Sequence, residues 1–489
     1  MASIYNLKRN SRVFFTTNLD TANKVLLTGH TTTSTYELSV LDGFSFTQTT
    51  TAQAITLNEA GSTPTRGQRS FNTALNPVDF SFSTYVRPNT VSGVDADEGV
   101  LWNALFGVTP QSDAGASLTY TGALTVTYTT ATGVLILSAA TTMTATGVAV
   151  GDVVTVAGVT GTNSNQFNTA IKVTAKDATS ITATYVAAPA GTVPVAAGWV
   201  SGTVKLHKKS WVKNAADAAD VAGITVSYAE VTAARSNSNT LLPFGLVVIV
   251  DGISYTIDNC VLEQASIDFG LDGIATVAWT GKGMLLNQQA TAGTADTSAN
   301  PIFGGGITGT ATGKSATAST KYITNKLSTV ALATQIGGGG TAYNMALTGG
   351  SIQIMNNTNF LTTANLGVVN QPIGYYTGTR SITGTLNAYL KTGTSETSGM
   401  LATMLSNIST STEYKFQLKL NIGGSATAAT RVEALINGAS LQVPTVDASQ
   451  DVISTAIQFT AQGTDAVVGA LANYDVGATN DIRIRYFSV

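Results

Sequence analysis

Val78-Asp-Phe-Ser-Phe-Ser-Thr-Tyr-Val86 alternates apolar with small polar residues across nine positions. Successive side chains of a strand point to opposite faces, so such a run buries one face and wets the other. Upstream, Arg12-Val-Phe-Phe15, Lys24-Val-Leu-Leu27, Leu41-Asp-Gly-Phe-Ser-Phe46 and Ala54-Ile-Thr-Leu57 continue the strand texture. Downstream, Asp97–Phe106 changes period: Leu101, Trp102, Leu105 and Phe106 fall at i, i+1, i+4 and i+5. That spacing predicts one short amphipathic helix begun by acids, whose charge suits a helix N-terminus. Strands surrounding a single short helix point to an all-β protein.

Composition agrees. Of 489 residues, 43% are hydrophobic, enough for a core, but only 11% are charged, against about 25% in a typical globular domain. Thr, Ser, Asn and Gly fill the polar quota, leaving little for Lys- and Glu-rich helices, while Thr, Val, Ile and Tyr favour strands. The length exceeds one ordinary core, so about two to four domains are expected. The formal net charge is −3, and the only local basic cluster runs from Lys205 to Lys213. Proteins that wrap nucleic acid neutralise phosphates with many clustered Lys and Arg; this cluster is too small and reads as a solvated face. Cys260 is the only cysteine, which excludes an intrachain disulfide and reads as a small hydrophobe packed in a strand. Lys8 and Arg9 precede no apolar signal-peptide core, and no stretch approaches a transmembrane helix in length. The expectation is cytosolic synthesis without secretion.

From about Val108 to Trp199 the texture turns to Ala, Thr, Val and Gly with almost no charge. Five short strands are read there: Thr125-Val-Thr-Tyr128, Val134-Leu-Ile-Leu137, Asp152-Val-Val-Thr-Val156, Ala170-Ile-Lys-Val173 and Ser180–Val186. Short strands separated by Gly-rich turns predict a small β-sandwich or barrel module. Strands of the first kind resume at Leu241, with Phe244–Val250, Ser254-Tyr-Thr-Ile257, Val261–Phe269 and Ala275–Trp279. Asn287–Gly313 is rich in Gly, Ala and Thr and reads as a linker. A new set of strands begins near Tyr322 and runs to Asp481–Val489.

The two sets repeat each other in order. Leu41-Asp-Gly-Phe-Ser-Phe46 answers Leu347-Thr-Gly-Gly-Ser-Ile352, and Phe82-Ser-Thr-Tyr-Val86 answers Leu386-Asn-Ala-Tyr-Leu390. The helix Leu101–Phe106 answers Met400–Leu405, and Phe244–Val250 answers Phe416–Ile422. Leu262-Glu-Gln-Ala-Ser-Ile-Asp268 lines up with Leu441-Gln-Val-Pro-Thr-Val-Asp447. Each is followed by a second acid (Asp272, Asp451), an aromatic (Trp279, Phe459) and a glycine (Gly283, Gly463). The interval from Leu101 to Leu262 is about 120 residues longer than that from Leu401 to Leu441, and the uncharged module fills most of the difference. The expected plan is a first domain at 1–107 with 201–286, interrupted by an immunoglobulin-like β module at 108–200. A linker at 287–320 and an uninterrupted second copy at 321–489 follow.

Thr56-Leu-Asn-Glu-Ala-Gly61, Pro64-Thr-Arg-Gly67, Arg69-Ser-Phe-Asn72, Leu75-Asn-Pro77, Phe80–Tyr85 and Leu101–Leu105 resemble the first lobe of the tail tube, or major tail, protein of long-tailed siphophages. Pro372-Ile-Gly374, Tyr376-Thr-Gly378 and Leu386–Leu390 resemble the second lobe of the class that fuses two tube domains. The resemblance implies two tandem tube domains of β-sandwich or barrel type, each with one short helix. It further implies homotrimeric, pseudo-hexameric rings that stack into a virion tail tube through which DNA is ejected. The implied partners are other copies of the chain, a tape measure protein inside, and terminator and tip proteins at the ends; DNA passes without specific binding, and no membrane is engaged. The chain departs from the familiar version in one respect: the extra module interrupts lobe one, where the family carries it at the C-terminus.

The polar segment Thr47–Asn76 lies between two strands, and long loops in compact domains are commonly functional. It is expected either to contact an adjacent ring, with Arg66 and Arg69 pairing with acids there, or to be a solvated loop; Met355–Gln371 is its match in copy two. A lumen that passes DNA should repel phosphate. Asp268 with Asp272, and Asp447 with Asp451, are candidate lumen acids, as are Asp42 and Glu263; the alternative is that the pairs cap hairpin turns, since Asp272-Gly273 favours one.

Little here suits catalysis or cofactor binding. His30 and His207 lie near neither a cysteine nor a spaced carboxylate set and read as surface polar residues. Neither a GxSxG motif nor a P-loop occurs. Gly337–Gly340 lacks the Lys-Ser/Thr of a phosphate loop and reads as a hairpin loop, and Asp95-Ala-Asp97-Glu98 lacks the pattern of a calcium loop. The expectation is a non-enzymatic protein without a cofactor. An extracellular β-modular adhesin or surface-layer protein is the alternative, and it lacks the expected signal peptide and anchor here.

Overall fold

The computed structural model describes residues 11–55, 69–88, 96–106, 117–119, 122–129, 134–139, 144–146, 153–157, 170–185, 199–201, 205–208, 227–234, 241–250, 253–288, 307–315, 320, 322–333, 342–363, 370–407, 416–423, 430–442, 445–447, 452–461 and 480–488. Antiparallel strands dominate, with two α-helices among the described residues. The alternating run that opened the sequence reading is the inner part of β4 (Arg69–Tyr85), where Val78, Phe80 and Phe82 are buried and Asp79 is exposed.

The first set of strands comprises β1 (Ser11–Thr16), β2 (Thr35–Leu38), β3 (Ser45–Ile55) and β4, followed by α1 (Gly99–Phe106). Strands β5 to β13 lie between Ser117 and Lys208, and β14 is Ser227–Ala234. The set then continues with β15 (Phe244–Val250), β16 (Ile253–Gly270), β17 (Thr276–Gly283) and β18 (Leu285–Gln288). These make two layers. One ladder runs β2–β1–β15–β16–β18 and the other β3–β4–β17–β16. The long strand β16 serves both: its first half pairs with β15 and β18, its second with β17, and the register slips between Leu262 and Gln264 where it crosses over. One extra residue in a ladder bends a strand in this way. Between the layers lie Phe15, Phe244, Phe80, Trp279 and the wholly buried α1, with Trp102 set edge-on to Trp279 at 4.7 Å.

The second set is β19 (Thr329–Ala333), β20 (Ala342–Asn344), β21 (Leu347–Met355), β22 (Thr358–Thr362), β23 (Pro372–Thr377), β24 (Ser381–Tyr389), α2 (Thr397–Asn407), β25 (Phe416–Ile422), β26 (Arg431–Leu441), β27 (Thr445–Asp447), β28 (Ser454–Ala461) and β29 (Asn480–Ser488). Its ladders run β20–β19–β25–β26–β29 and β21–β24–β28, the latter flanked by β27 and the end of β26. The order is that of the first set, with β26 divided between two sheets as β16 is. Registers agree to the residue: Phe82 faces Trp279 as Leu386 faces Ile457, and Asp268 faces Thr276 as Asp447 faces Ser454. Trp279 therefore answers Ile457, and Phe459 answers Gly281, where the sequence alignment had set the two aromatics together.

Three local readings change. The five strands read in the module are present, in a seven-stranded sheet whose β13 (Lys205–Lys208) pairs with β9 (Val153–Ala157), so that sheet extends past residue 200. β14 pairs along its length with β29, the last strand of the second set, rather than with the first. The Gly-rich segment read wholly as linker begins with strand β18, and its later part is docked: Ile307 and Ala311 are buried against Phe14, Val25 and Val247, and the backbone bridges to His30 and Tyr36.

Candidate assembly interface

The two sets meet edge to edge. The second half of β16 pairs antiparallel with β21, from Gln264 opposite Met355 to Gly270 opposite Gly349. Eight strands therefore run in one ladder, β3–β4–β17–β16–β21–β24–β28–β27. Asn356 locks this joint: it is buried, its backbone N–H donates to Glu263 O (2.8 Å), and its Nδ2 donates to Leu105 O at the end of α1 (2.7 Å). Among the described residues the outer edges of this ladder, β3 and β27, pair only with β4 and β28. Unpaired edges invite another strand.

One face of the eight-strand ladder covers the core. The other is carpeted by Ser, Thr, Asn and Gln, such as Ser81, Ser266, Gln353, Thr385 and Gln458. Charge on it is sparse. Asp79 and Asp268 are exposed, and Glu263 is paired with Lys282 at 3.4 Å. Of the other candidate acids, Asp42 lies exposed in the turn before β3 and Asp272 in the bend between β16 and β17. Asp447 ends β27, and Asp451 lies outside the described residues. The structure thus brings Asp268 and Asp79 to one polar face and leaves Asp42 and Asp272 in the connecting turns.

Most of Thr47–Asn76 proves to be strand, not loop: β3 and β4 continue past the core as a two-stranded arm to Ile55 opposite Arg69. Arg69 is exposed opposite Ile55 at the far end of the described arm, and Arg66 lies outside the described residues. β22 and β23 form a matching arm in copy two, and the two arms touch: Leu75 N donates to Asn370 O (2.8 Å) and Asn370 N to Thr73 O (3.2 Å). Phe71, Ile373 and Tyr376 on these arms are 51%, 61% and 52% exposed. Sequence reading missed these residues as a surface because an arm wet on both faces needs no apolar alternation; the Thr-rich run Thr47–Thr51 was the one available signal.

Titratable groups elsewhere are structural. His30, read as a surface residue, is buried: its Nε2 lies 2.7 Å from Leu26 O and its Nδ1 2.9 Å from Thr35 Oγ1. Burial lowers its pKa below the ordinary value, against the Leu26 hydrogen bond. Cys260 is buried with its thiol toward Ile257 O, and burial pushes that thiol well up. Asp97 pairs with Arg87 and accepts from Ser39 Oγ (2.9 Å). Glu98 precedes α1 and is buried, accepting from Arg87 N–H (3.1 Å) beside the Tyr486 hydroxyl, which itself accepts from Trp102 Nε1–H (2.8 Å). Among the described residues no cluster of His, Cys, Asp and Glu is placed to hold a metal, and no helix is long and apolar enough to cross a membrane.

No family model matches the chain. The chain is similar to the tail tube protein pb6 of Escherichia phage T5, with 24% identity over 475 residues, covering 95% of this chain and 74% of the relative.

Proposed function

We propose that this chain is a structural subunit of a phage tail tube, a virion protein that assembles with copies of itself into stacked rings. The observation that carries the reading is the eight-strand ladder with matching edges. Among the described residues this ladder passes from one strand set to the other, through a head-to-tail contact between opposite edges of the two copies. A head-to-tail contact repeated around an axis closes a ring and removes the open edges. Similarity to a tail tube protein along nearly the whole chain supports the same reading.

The ring is a trimer of two-lobed chains, each lobe a copy of one tube domain, with the inserted module, whose sheet extends to Lys208, projecting outward from the first. The polar face of the ladder lines the lumen. A wall of uncharged hydroxyls and amides, with acids such as Asp268 and little positive charge, gives phosphate no cluster of cations to hold, so DNA slides through without specific binding. Asp447, the register counterpart of Asp268, belongs on the same wall. The arms reach the adjacent ring, where Arg66 and Arg69 pair with acids. Other tail proteins, a tape measure inside and terminator and tip proteins at the ends, are the remaining partners, and no catalytic step is involved. Negative-stain microscopy of the purified chain tests this: stacked rings with a central hole are expected, and monomers or solid fibres refute it.

A further inference from the structure

The chain carries its own template for the contact between copies. Across the internal joint Ile267 stands opposite Ile352, Ser266 opposite Gln353 and Asp268 opposite Ser351. The registers of the two sets fix the counterpart of each residue. Phe46 faces Phe80 as Ile352 faces Gly384, which makes β3 the counterpart of β21. Asp447 faces Ser454 as Asp268 faces Thr276, which makes β27 the counterpart of the end of β16.

We propose that adjacent chains join through β27 of one and β3 of the next, antiparallel, with Thr445 opposite Thr47, Val446 opposite Phe46 and Asp447 opposite Ser45. This rests on the ring reading above and adds the occupant and the register of its edges. Burial supports it. Ile352, inside the internal joint, is fully buried, whereas its counterpart Phe46 on the open edge is only partly covered. A neighbouring strand at this register completes that cover. A slip of one residue would turn the apolar set to the polar face.

Paired cysteines read the register directly, because residues directly opposite in an antiparallel ladder come within disulfide reach and diagonal ones do not. The background is Cys260→Ala, which copies Ala439, its counterpart on β26. In assembled protein, Thr47→Cys with Thr445→Cys, Phe46→Cys with Val446→Cys, or Ser45→Cys with Asp447→Cys should yield covalent multimers on mild oxidation, read on a non-reducing gel. Thr47→Cys with Asp447→Cys, and Ser45→Cys with Thr445→Cys, should remain monomeric. Rings that form but cross-link only through the displaced pairs overturn the register and leave the ring reading intact. Cysteine-free background protein that forms no rings overturns both.

Discussion

Gly281 on β17 faces Phe80 on β4, and at the matching place in copy two Phe459 on β28 faces Gly384 on β24. In each pair the ring lies over the glycine, so that an added Cβ would run into it. The aromatic has changed strands while the pair has kept its volume, as close packing requires. Phe80→Gly alone should cost about 3–5 kcal/mol, and Gly281→Phe alone about 1–3 kcal/mol from overpacking. The double variant, which copies lobe two, should recover at least about 1 kcal/mol of their sum; strictly additive denaturation midpoints would show that the pairs are unrelated. Glu98 is the other informative residue, and the sequence revealed only that it precedes a helix. Burial raises its pKa from 4.5 to about 7, against the hydrogen bonds of backbone Glu98 and Arg87. The folded chain therefore holds this proton more tightly than the unfolded one. The resulting stability is complete below pH 4.5 and is lost as pH rises through 7. Glu98→Gln keeps a neutral group there. Relative to the unaltered chain it should gain about 2–3 kcal/mol between pH 4.5 and 8, as the difference in thermal or denaturant stability at each pH. The opposite slope from His30, whose pKa burial lowers, is shared by both proteins and cancels. A difference that does not change with pH would remove Glu98 as its source.

At the scale of elements, what could be read in the sequence was what one buried face imposes. β4, β17 and β24 alternate because half of each strand packs on the core, and α1 announced itself by breaking that period. The arms gave no such signal. Thr51–Ile55 and Arg69–Ala74 pair with each other while water reaches both faces, so composition there resembles a loop. The arms carry exposed apolar side chains, Phe71, Ile373 and Tyr376, and the stacking role proposed for the arms gives these a contact to make. Phe71→Ser, Ile373→Ser and Tyr376→Ser together should leave folding stability nearly unchanged, since exposed substitutions usually fall within about 0.5 kcal/mol each. They should abolish stacking, leaving single rings by electron microscopy. Arg66→Glu with Arg69→Glu should shorten tubes in the same way if acids meet the tip. Full-length tubes from both variants would refute the role given to the arms.

For the whole molecule, the order of strands in the two sets was legible because equivalent strands keep their patterns, whereas β14 and the docked segment at 307–315 were not. Both are held by partners far away in sequence, β29 and the β2–β1–β15 ladder of the first set, which no local pattern announces. The position of β14 bears on the inserted module. α1 ends at Phe106 and packs against β14, which begins at Ser227. The chain thus leaves for the module and returns to nearly the same place, and β14 then ties the return to the far end of the chain through β29. None of the strands of the eight-strand ladder comes from the module. Replacing residues 110–224 with a short Gly/Ser linker, β14 retained, should leave a folded chain, because a flexible linker spans so small a gap at little cost. Tubes from this variant should keep the central hole unchanged in electron micrographs and lose outer diameter. A folded variant that forms no rings, or rings with a wider hole, would place the module in the wall rather than outside it.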